Sequence, residues 1–183
     1  MDFTEHYSLY TGGGSTFNSE FAVNTGFTTP VSYTQNVYTL NDHTFDHTMA
    51  KLFKEQGYSV NAFHMNSSDF YSRGINYRSW GFDNYYGLVD IADYKNDEGE
   101  LDRELILNKD FYDLMFKQDG PFVDYIITYT PHTPFETEDG VGRLVAEMKY
   151  GKGNIPSGLT EEDVVKLEAA ETDYMVGLLI QAL

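Results

Sequence analysis

Hydrophobic positions recur at helical spacing in three parts of the chain. One apolar stripe predicts a helix over about 44–56, and a second predicts a helix over about 102–117. A third helix is predicted to begin at Thr160, because Thr160 and Asp163 resemble a capping box with aspartate in place of the usual glutamate. The helical pattern is therefore concentrated after residue 44.

Two shorter apolar runs have the length of buried strands and follow the first two predicted helices. They cover residues 58–64 and 123–130, with His64 at the end of the first and His132 just after the second. A helix followed by a strand, twice over, predicts an α/β protein with a mostly parallel sheet flanked by helices; an α+β fold is the alternative. Ligands bind at the carboxyl ends of parallel strands, so both histidines occupy positions typical of binding sites. A single histidine at such a position is nevertheless more often a hydrogen-bonded structural residue.

The other parts of the chain show weaker patterns. Residues 1–40 are rich in Gly, Thr, Ser, Asn and Tyr and have little helical periodicity, and they contain a run of three glycines at 12–14. Residues 136–159 are predicted to form a loop with one short helix at about 144–148. No internal repeat is evident, and we predict a single domain.

Composition narrows the possible functions. The chain has 183 residues, and 29 acidic against 12 basic residues give a formal charge of −17, which excludes a general nucleic-acid binder. An apolar fraction of 41% is sufficient for a hydrophobic core. The absence of cysteine excludes disulfides, thiolate metal sites and cysteine nucleophiles. We predict neither a membrane span nor an export signal in these residues, because no run approaches about 20 apolar residues.

The glycine run precedes two hydroxyl side chains, Ser15 and Thr16. It is not a P-loop, because no lysine precedes the hydroxyls, and it lacks the third spaced glycine of a dinucleotide-binding loop. The hydroxyls therefore belong either to an exposed nucleophile or to a simple turn. His43 and His47 share a helical spacing, but the glutamate of a zinc-protease motif is missing, which favours ordinary polar positions over a metal site.

A second candidate lies in the Ser-, Asn- and Tyr-rich segment after the first strand. Arg73 and Arg78 are two of the few basic residues, and Tyr71 and Tyr77 flank them. A guanidinium between aromatic rings can hold a phosphate or sulfate through two hydrogen bonds. The alternative is a surface loop with an ion-paired arginine.

Five segments, taken in order and spacing, resemble the lipoteichoic acid synthase family. They read TGGGSTFNSEF at 11–21, GYSVNAFH at 57–64, FYSRGINY at 70–77, GFD at 81–83 and PHTPF at 131–135. Members are phosphoglycerol transferases of the sulfatase and alkaline-phosphatase-like superfamily. The resemblance implies that residues 1–183 form part of a sulfatase-like catalytic domain.

The resemblance also implies roles for individual residues. Thr16 matches the threonine that serves as nucleophile and as a ligand of Mn²⁺ or Mg²⁺, a metal that would activate its hydroxyl. His64 matches a pocket histidine, and Tyr71 stands where the family has tryptophan. Arg73 matches a substrate-binding arginine, and His132 matches the histidine that contacts the phosphoglycerol head group.

Two departures from the family pattern affect the expected site. Phe17 and Asn18 replace the usual Ser-Asp after the threonine. The family also takes metal ligands from a glutamate upstream of the glycine loop and from an Asp-His pair downstream, and neither has a match here. We therefore expect an internal fragment of a larger enzyme, inactive by itself, with an incomplete metal site.

For that parent enzyme, the resemblance implies transfer of glycerol phosphate from phosphatidylglycerol to a cell-envelope glycan through a phospho-threonine. It would work at the extracellular face of a bacterial membrane, held there by segments outside this chain, and would not bind nucleic acid. Two alternatives remain open. One is a non-catalytic module that binds an anionic glycan or glycerol phosphate, and the other is a sulfatase-like hydrolase.

Overall fold

A computed structural model describes residues 16–28, 37–41, 43–91 and 101–183. Its three strands are β1 (Ser59–His64), β2 (Asn84–Gly87) and β3 (Phe122–Ile127). They form a parallel sheet in the order β2-β1-β3 that is flanked by helices, which confirms the predicted α/β class. His64 is the last residue of the central strand, as expected.

The described part of the chain contains eight α-helices. They are α1 (Thr16–Thr25), α2 (Met49–Glu55), α3 (Arg73–Ser79), α4 (Leu88–Ile91), α5 (Glu104–Leu107), α6 (Lys109–Phe116), α7 (Gly140–Tyr150) and α8 (Glu161–Ala182). Short 3-10 turns lie at Val37–Leu40 and Phe70–Ser72. Among the described helices, none is both long enough and apolar enough to cross a membrane.

Capping residues set the starts of two predicted helices. Thr160 and Asp163 form both hydrogen bonds of a capping box, so α8 begins where the sequence predicts. α2 begins at Met49 rather than near residue 44, because the Thr48 side chain accepts the Lys51 N–H at the N-cap. The predicted α2 is therefore correct in kind and several residues too long.

The predicted helix over 102–117 is in fact two helices. Asn108 separates them with an extended backbone (ψ 121°), and its side chain accepts the N–H groups of Asp110 and Phe111. An asparagine oxygen that caps the next helix competes with continuation of the previous one. β3 also ends at Ile127, earlier than predicted, and the short helix expected at about 144–148 extends over Gly140–Tyr150 as α7.

The largest difference from the sequence prediction is α1, which falls in a segment without helical periodicity. Its buried face is mixed, with Phe17 and Phe21 beside the polar Asn18, Glu20 and Asn24. A buried face that carries both polar and apolar residues shows no amphipathic pattern in the sequence. The polar residues on it can be buried only because partners elsewhere in the chain bind them. The glycine run at 12–14 and Ser15 lie outside the described residues.

The chain divides into two compact units, which are described separately. The first comprises residues 1–61, 68–85 and 120–123, and the second comprises 62–67, 86–119 and 124–183. In the first unit, Trp80 packs against Phe17 and Tyr77 with ring centroids 5.3 and 4.8 Å away. The core of the second unit is formed by Phe63, Met65, Leu88, Leu105, Ile106, Phe111, Met115 and Met175.

Candidate active site

The five site residues expected from the sequence fall into both units. Thr16, Tyr71 and Arg73 belong to the first unit, whereas His64 and His132 belong to the second. Within the first unit, Arg73 and Tyr71 lie together. Within the second, the two histidines lie near one tyrosine.

Thr16 is the first residue of α1, and its side chain is exposed. The first backbone N–H groups of a helix have no partner inside the helix, and the helix dipole makes this end favourable for negative charge. Phe17 is fully buried against Tyr38, Tyr71 and Trp80, which anchors the start of the helix. The Thr16 hydroxyl is therefore an accessible group on a fixed helix end.

Arg73 is buried, with 2% of its surface exposed, and forms an ion pair with the buried Glu20. Its Nη2 donates to Glu20 Oε1 at 2.6 Å, and its Nε donates to Glu20 Oε2 at 3.0 Å. Burial by itself lowers the pKa of Arg73, but the hydrogen bonds to Glu20 and the negative charge of Glu20 raise it by more. The pKa of Arg73 therefore lies above its ordinary value. The guanidinium is therefore charged, and its pair is internal rather than on a surface loop.

Tyr71 lies against the same guanidinium. Arg73 Cζ is 5.1 Å from the centre of the Tyr71 ring and 5.8 Å from the centre of the Phe70 ring. Tyr71 and Ser72 both have left-handed backbones, with φ of 57° and 50°, which costs about 1 kcal/mol or more for each non-glycine residue. Tyr71 therefore lies over the Arg73 guanidinium, whereas Arg78 is exposed and is not part of this cluster.

His64 joins the ends of two neighbouring strands. Its ring is 4% exposed, and Nδ1 lies 2.8 Å from the carbonyl oxygen of Ile127, the last residue of β3. A carbonyl oxygen only accepts, so Nδ1 carries the proton and donates. This bond fixes the orientation of the imidazole at the carboxyl end of the sheet.

His132 is exposed and stacks on Tyr129, with the ring centroids 5.5 Å apart and the planes inclined by 11°. Its Nδ1 lies 2.6 Å from the Thr133 carbonyl oxygen, which leaves Nε2 as the ring atom available to a ligand. The His64 ring centroid is 6.3 Å from the same Tyr129 ring. Sequence reasoning missed Tyr129, although it lies only two residues before the segment that carries His132.

A buried carboxylate holds the chain just before His132. Asp102 accepts the backbone N–H groups of Tyr129 and Thr130 at 2.6 and 2.9 Å and the Thr130 hydroxyl at 2.5 Å. Thr172 in α8 donates its hydroxyl to the Thr130 carbonyl oxygen at 2.6 Å. Burial raises the pKa of Asp102 more than these hydrogen bonds lower it. These bonds explain why the strand predicted to reach residue 130 ends at Ile127.

A second buried carboxylate, Glu168 of α8, holds His132 itself. Glu168 Oε2 accepts the His132 backbone N–H at 3.0 Å, and the residue is fully buried. Glu168 Oε1 has no hydrogen-bond partner within the described residues. Burial raises the pKa of Glu168, and the His132 N–H only partly offsets this effect. Local sequence patterns do not indicate this role, because the contact joins residues that are far apart in the chain.

Glu168 should make stability depend on pH. Its raised pKa means that the folded state binds the proton more tightly, so stability falls as pH rises from about 4.5 through the folded-state pKa. In urea denaturation at about pH 5 and about pH 8, Glu168→Gln should show a smaller fall in stability than the unchanged chain. Some fall should remain, because the pKa values of Asp102 and Glu104 are also raised.

The control for that experiment is Glu161→Gln. Glu161 is exposed in the first turn of α8 and should leave the pH dependence of the unchanged chain in place. Equal pH dependence for Glu168→Gln and the unchanged chain would contradict the prediction.

The expected metal site is only partly represented by the described residues. They contain no group of three or more His, Cys, Asp or Glu side chains placed to hold a metal ion. Thr16 offers a single oxygen, whereas divalent cations require several ligands. The set of residues described here therefore does not fit a complete metal centre.

The chain belongs to the sulfatase family, whose model matches residues 3–183. It is 30% identical over 139 residues to the lipoteichoic acid synthase-like YvgJ of Bacillus subtilis (strain 168), covering 74% of this chain and 22% of that protein. It is 31% identical over 131 residues to the lipoteichoic acid synthase of Staphylococcus saprophyticus, covering 68% and 19%. The chain thus spans about a fifth of the length of these relatives.

Solved structures agree with this assignment at the level of the fold. The lipoteichoic acid synthase LtaP of Listeria monocytogenes matches with a TM-score of 0.71 at 23% identity, over 93% of this chain and 40% of that one. A protein of the alkaline phosphatase superfamily from Vibrio parahaemolyticus matches with a TM-score of 0.61 at 22% identity, over 94% and 40%. The resemblance to lipoteichoic acid synthases and the alkaline-phosphatase-like fold are confirmed.

Proposed function

We propose that this chain is part of the catalytic domain of a phosphoglycerol transferase. The enzyme would move glycerol phosphate from phosphatidylglycerol to a cell-envelope glycan at the extracellular face of a bacterial membrane. The observation that carries the proposal is the placement of Thr16, an exposed hydroxyl at the N-terminus of α1, in a chain similar to lipoteichoic acid synthases.

The proposed reaction has two displacement steps at phosphorus. Thr16 Oγ1 attacks the phosphorus of phosphatidylglycerol and forms a new P–O bond, and the bond to diacylglycerol breaks. The hydroxyl proton of Thr16 leaves with the diacylglycerol, directly or through water. A glycan hydroxyl then attacks the phospho-threonine, takes the glycerol phosphate and returns the proton to Thr16.

The remaining residues are assigned to binding. Arg73 offers a permanent positive charge to the phosphate, with Tyr71 stacked on its guanidinium. In the second unit, His132 is exposed and has Nε2 available for the glycerol phosphate head group, while Tyr129 and His64 support it. Hydrogen bonds of the head group to His132 would add specificity beyond charge.

The resemblance to lipoteichoic acid synthases is the reason for including a divalent metal ion in the proposal, with Thr16 as one of its ligands. The other ligands would come from outside the described residues, in keeping with the small share of its relatives that the chain spans.

Binding of sn-glycerol 1-phosphate to the 183-residue chain tests the assignment. We expect saturable shifts of the His132 and His64 ring signals in NMR titrations of the labelled chain. His132→Ala should weaken binding about tenfold, which corresponds to about 1.4 kcal/mol. Methyl sulfate, as a probe of a sulfatase-like site, should bind more weakly than glycerol phosphate.

His43→Ala provides the matched control, because His43 is also exposed but lies outside the assigned residues. It should leave the affinity for glycerol phosphate unchanged. A preference for methyl sulfate would favour a sulfatase-like hydrolase. The absence of saturable binding, or equal weakening by the two histidine variants, would remove the proposed binding role of His132.

A further inference from the structure

Glu20 lies on the same helix as the proposed nucleophile. It is four residues after Thr16 in α1, and residues at that spacing stand one above the other on one helix face. Glu20 is 3% exposed, which is unusual for a carboxylate unless it is paired. A carboxylate buried to this extent requires a partner for its charge inside the protein.

Both carboxylate oxygens of Glu20 are used. Oε1 accepts from Arg73 Nη2 at 2.6 Å, and Oε2 accepts from Arg73 Nε at 3.0 Å and from the Tyr77 hydroxyl at 2.9 Å. This arrangement is a bidentate pair along the Nε–Nη2 edge of the guanidinium. It fixes the plane of the guanidinium as well as its position.

Arg73 Nη1 lies on the opposite side of the guanidinium from this pair. Arg73 Nη1 is buried and makes no hydrogen bond within the described residues. A buried donor without a partner costs about 1–3 kcal/mol, so its persistence suggests that a ligand pairs with it. The stacked Tyr71 ring covers one face of the guanidinium, which leaves the Nη1 edge as the binding edge.

We propose that Glu20 is a positioning residue that holds Arg73 so that Nη1 is presented to the phosphate undergoing transfer at Thr16. This inference rests on the proposed function. One helix would then carry both the nucleophile and the group that orients the phosphate ligand. Glu20 itself does not touch the substrate.

An experiment on the unchanged chain tests this geometry directly. The Arg73 side-chain nitrogens are followed by NMR at low temperature while sn-glycerol 1-phosphate is added. The Nη1 signal should shift on binding, whereas the Nε signal, bonded to Glu20, should stay in place and remain slow to exchange. A large shift or faster exchange of Nε would show that binding breaks the pair, which would overturn the proposal.

Variants test whether Glu20 acts through Arg73. Glu20→Gln should weaken glycerol phosphate binding about tenfold, and Glu20→Asp, which keeps the charge, should recover part of that loss. The double variant Glu20→Gln/Arg73→Lys should bind no more weakly than Arg73→Lys alone. Glu171→Gln is the matched control, because Glu171 is another buried glutamate paired with an arginine, Arg103.

The outcomes separate this inference from the proposed function. Loss of affinity in Arg73→Lys with unchanged affinity in Glu20→Gln would overturn the positioning role alone. Unchanged affinity in Arg73→Lys would overturn the phosphate-binding role of Arg73 and the inference with it. Equal weakening by Glu171→Gln and Glu20→Gln would show that lost stability, rather than positioning, lowers the affinity, and would also overturn the inference.

Discussion

Thr16→Ala, made in the longer enzyme of which this chain is proposed to be part, is expected to reduce diacylglycerol release from phosphatidylglycerol by at least about a thousandfold. The variant lacks the oxygen that forms the covalent phospho-threonine, and no other residue is assigned that step. Binding of glycerol phosphate should change by less than about twofold, because the variant alters no residue that is assigned to binding. Release of fluorescent diacylglycerol and direct binding measurements check the two expectations.

Two further variants of α1 serve as controls for Thr16→Ala. Thr16→Ser keeps a hydroxyl at the start of α1 and should retain measurable turnover. Ser19→Ala removes another exposed hydroxyl of α1 and should leave turnover unchanged. If the Thr16→Ala enzyme releases diacylglycerol at the normal rate, Thr16 is not the nucleophile. If the unchanged enzyme binds glycerol phosphate without turnover, a binding module becomes the better interpretation.

The features that the sequence predicted well depend on local patterns. The apolar run at 58–64 is the central strand β1, and the Thr160–Asp163 capping box opens α8 as expected. Both signals lie within a few neighbouring residues, where propensity and capping act. The positions of His64 and His132 near strand ends followed from the same reasoning.

The features that the sequence missed depend on partners far along the chain. α1 buries Glu20 because Arg73 lies 53 residues later in the sequence and neutralises it. The early end of β3 similarly depends on Asp102, which takes the N–H groups that a longer strand would have used. No periodicity analysis detects such contacts, because each half of the pair looks like an ordinary surface residue.

The candidate site also combines features that local sequence patterns predict with contacts between distant residues that they do not. Residue types and the family resemblance predict roles for Thr16, Arg73 and His132, but they do not indicate which groups hold these residues in place. Glu20 and Glu168 act on those residues through buried hydrogen bonds. Buried carboxylates with specific partners are therefore the part of this site that only the three-dimensional structure supplies.

Arg73→Met is expected to destabilise the folded chain by about 3–5 kcal/mol, the largest stability effect among the changes considered. Methionine fills much of the space of the arginine but leaves the Glu20 carboxylate buried without its positive partner. The double variant Glu20→Gln/Arg73→Met should recover about half of the loss or more, because it removes the unpaired charge and keeps an oxygen for the Tyr77 hydroxyl. Urea denaturation at neutral pH gives both values.

Arg103→Met is the matched comparison, because Arg103 also pairs with a buried glutamate, Glu171. The carboxylates left behind are similarly buried, 1% exposed for Glu171 and 4% for Glu20, but the Arg103 side chain is 22% exposed against 2% for Arg73, so water can enter the space that Arg103 vacates. Its loss should therefore cost clearly less than the loss of Arg73. If Arg73→Met stays within about 1 kcal/mol of the unchanged chain, the Glu20 side chain moves to reach water when its partner is removed. The buried pair would then be too compliant to hold a guanidinium in one orientation.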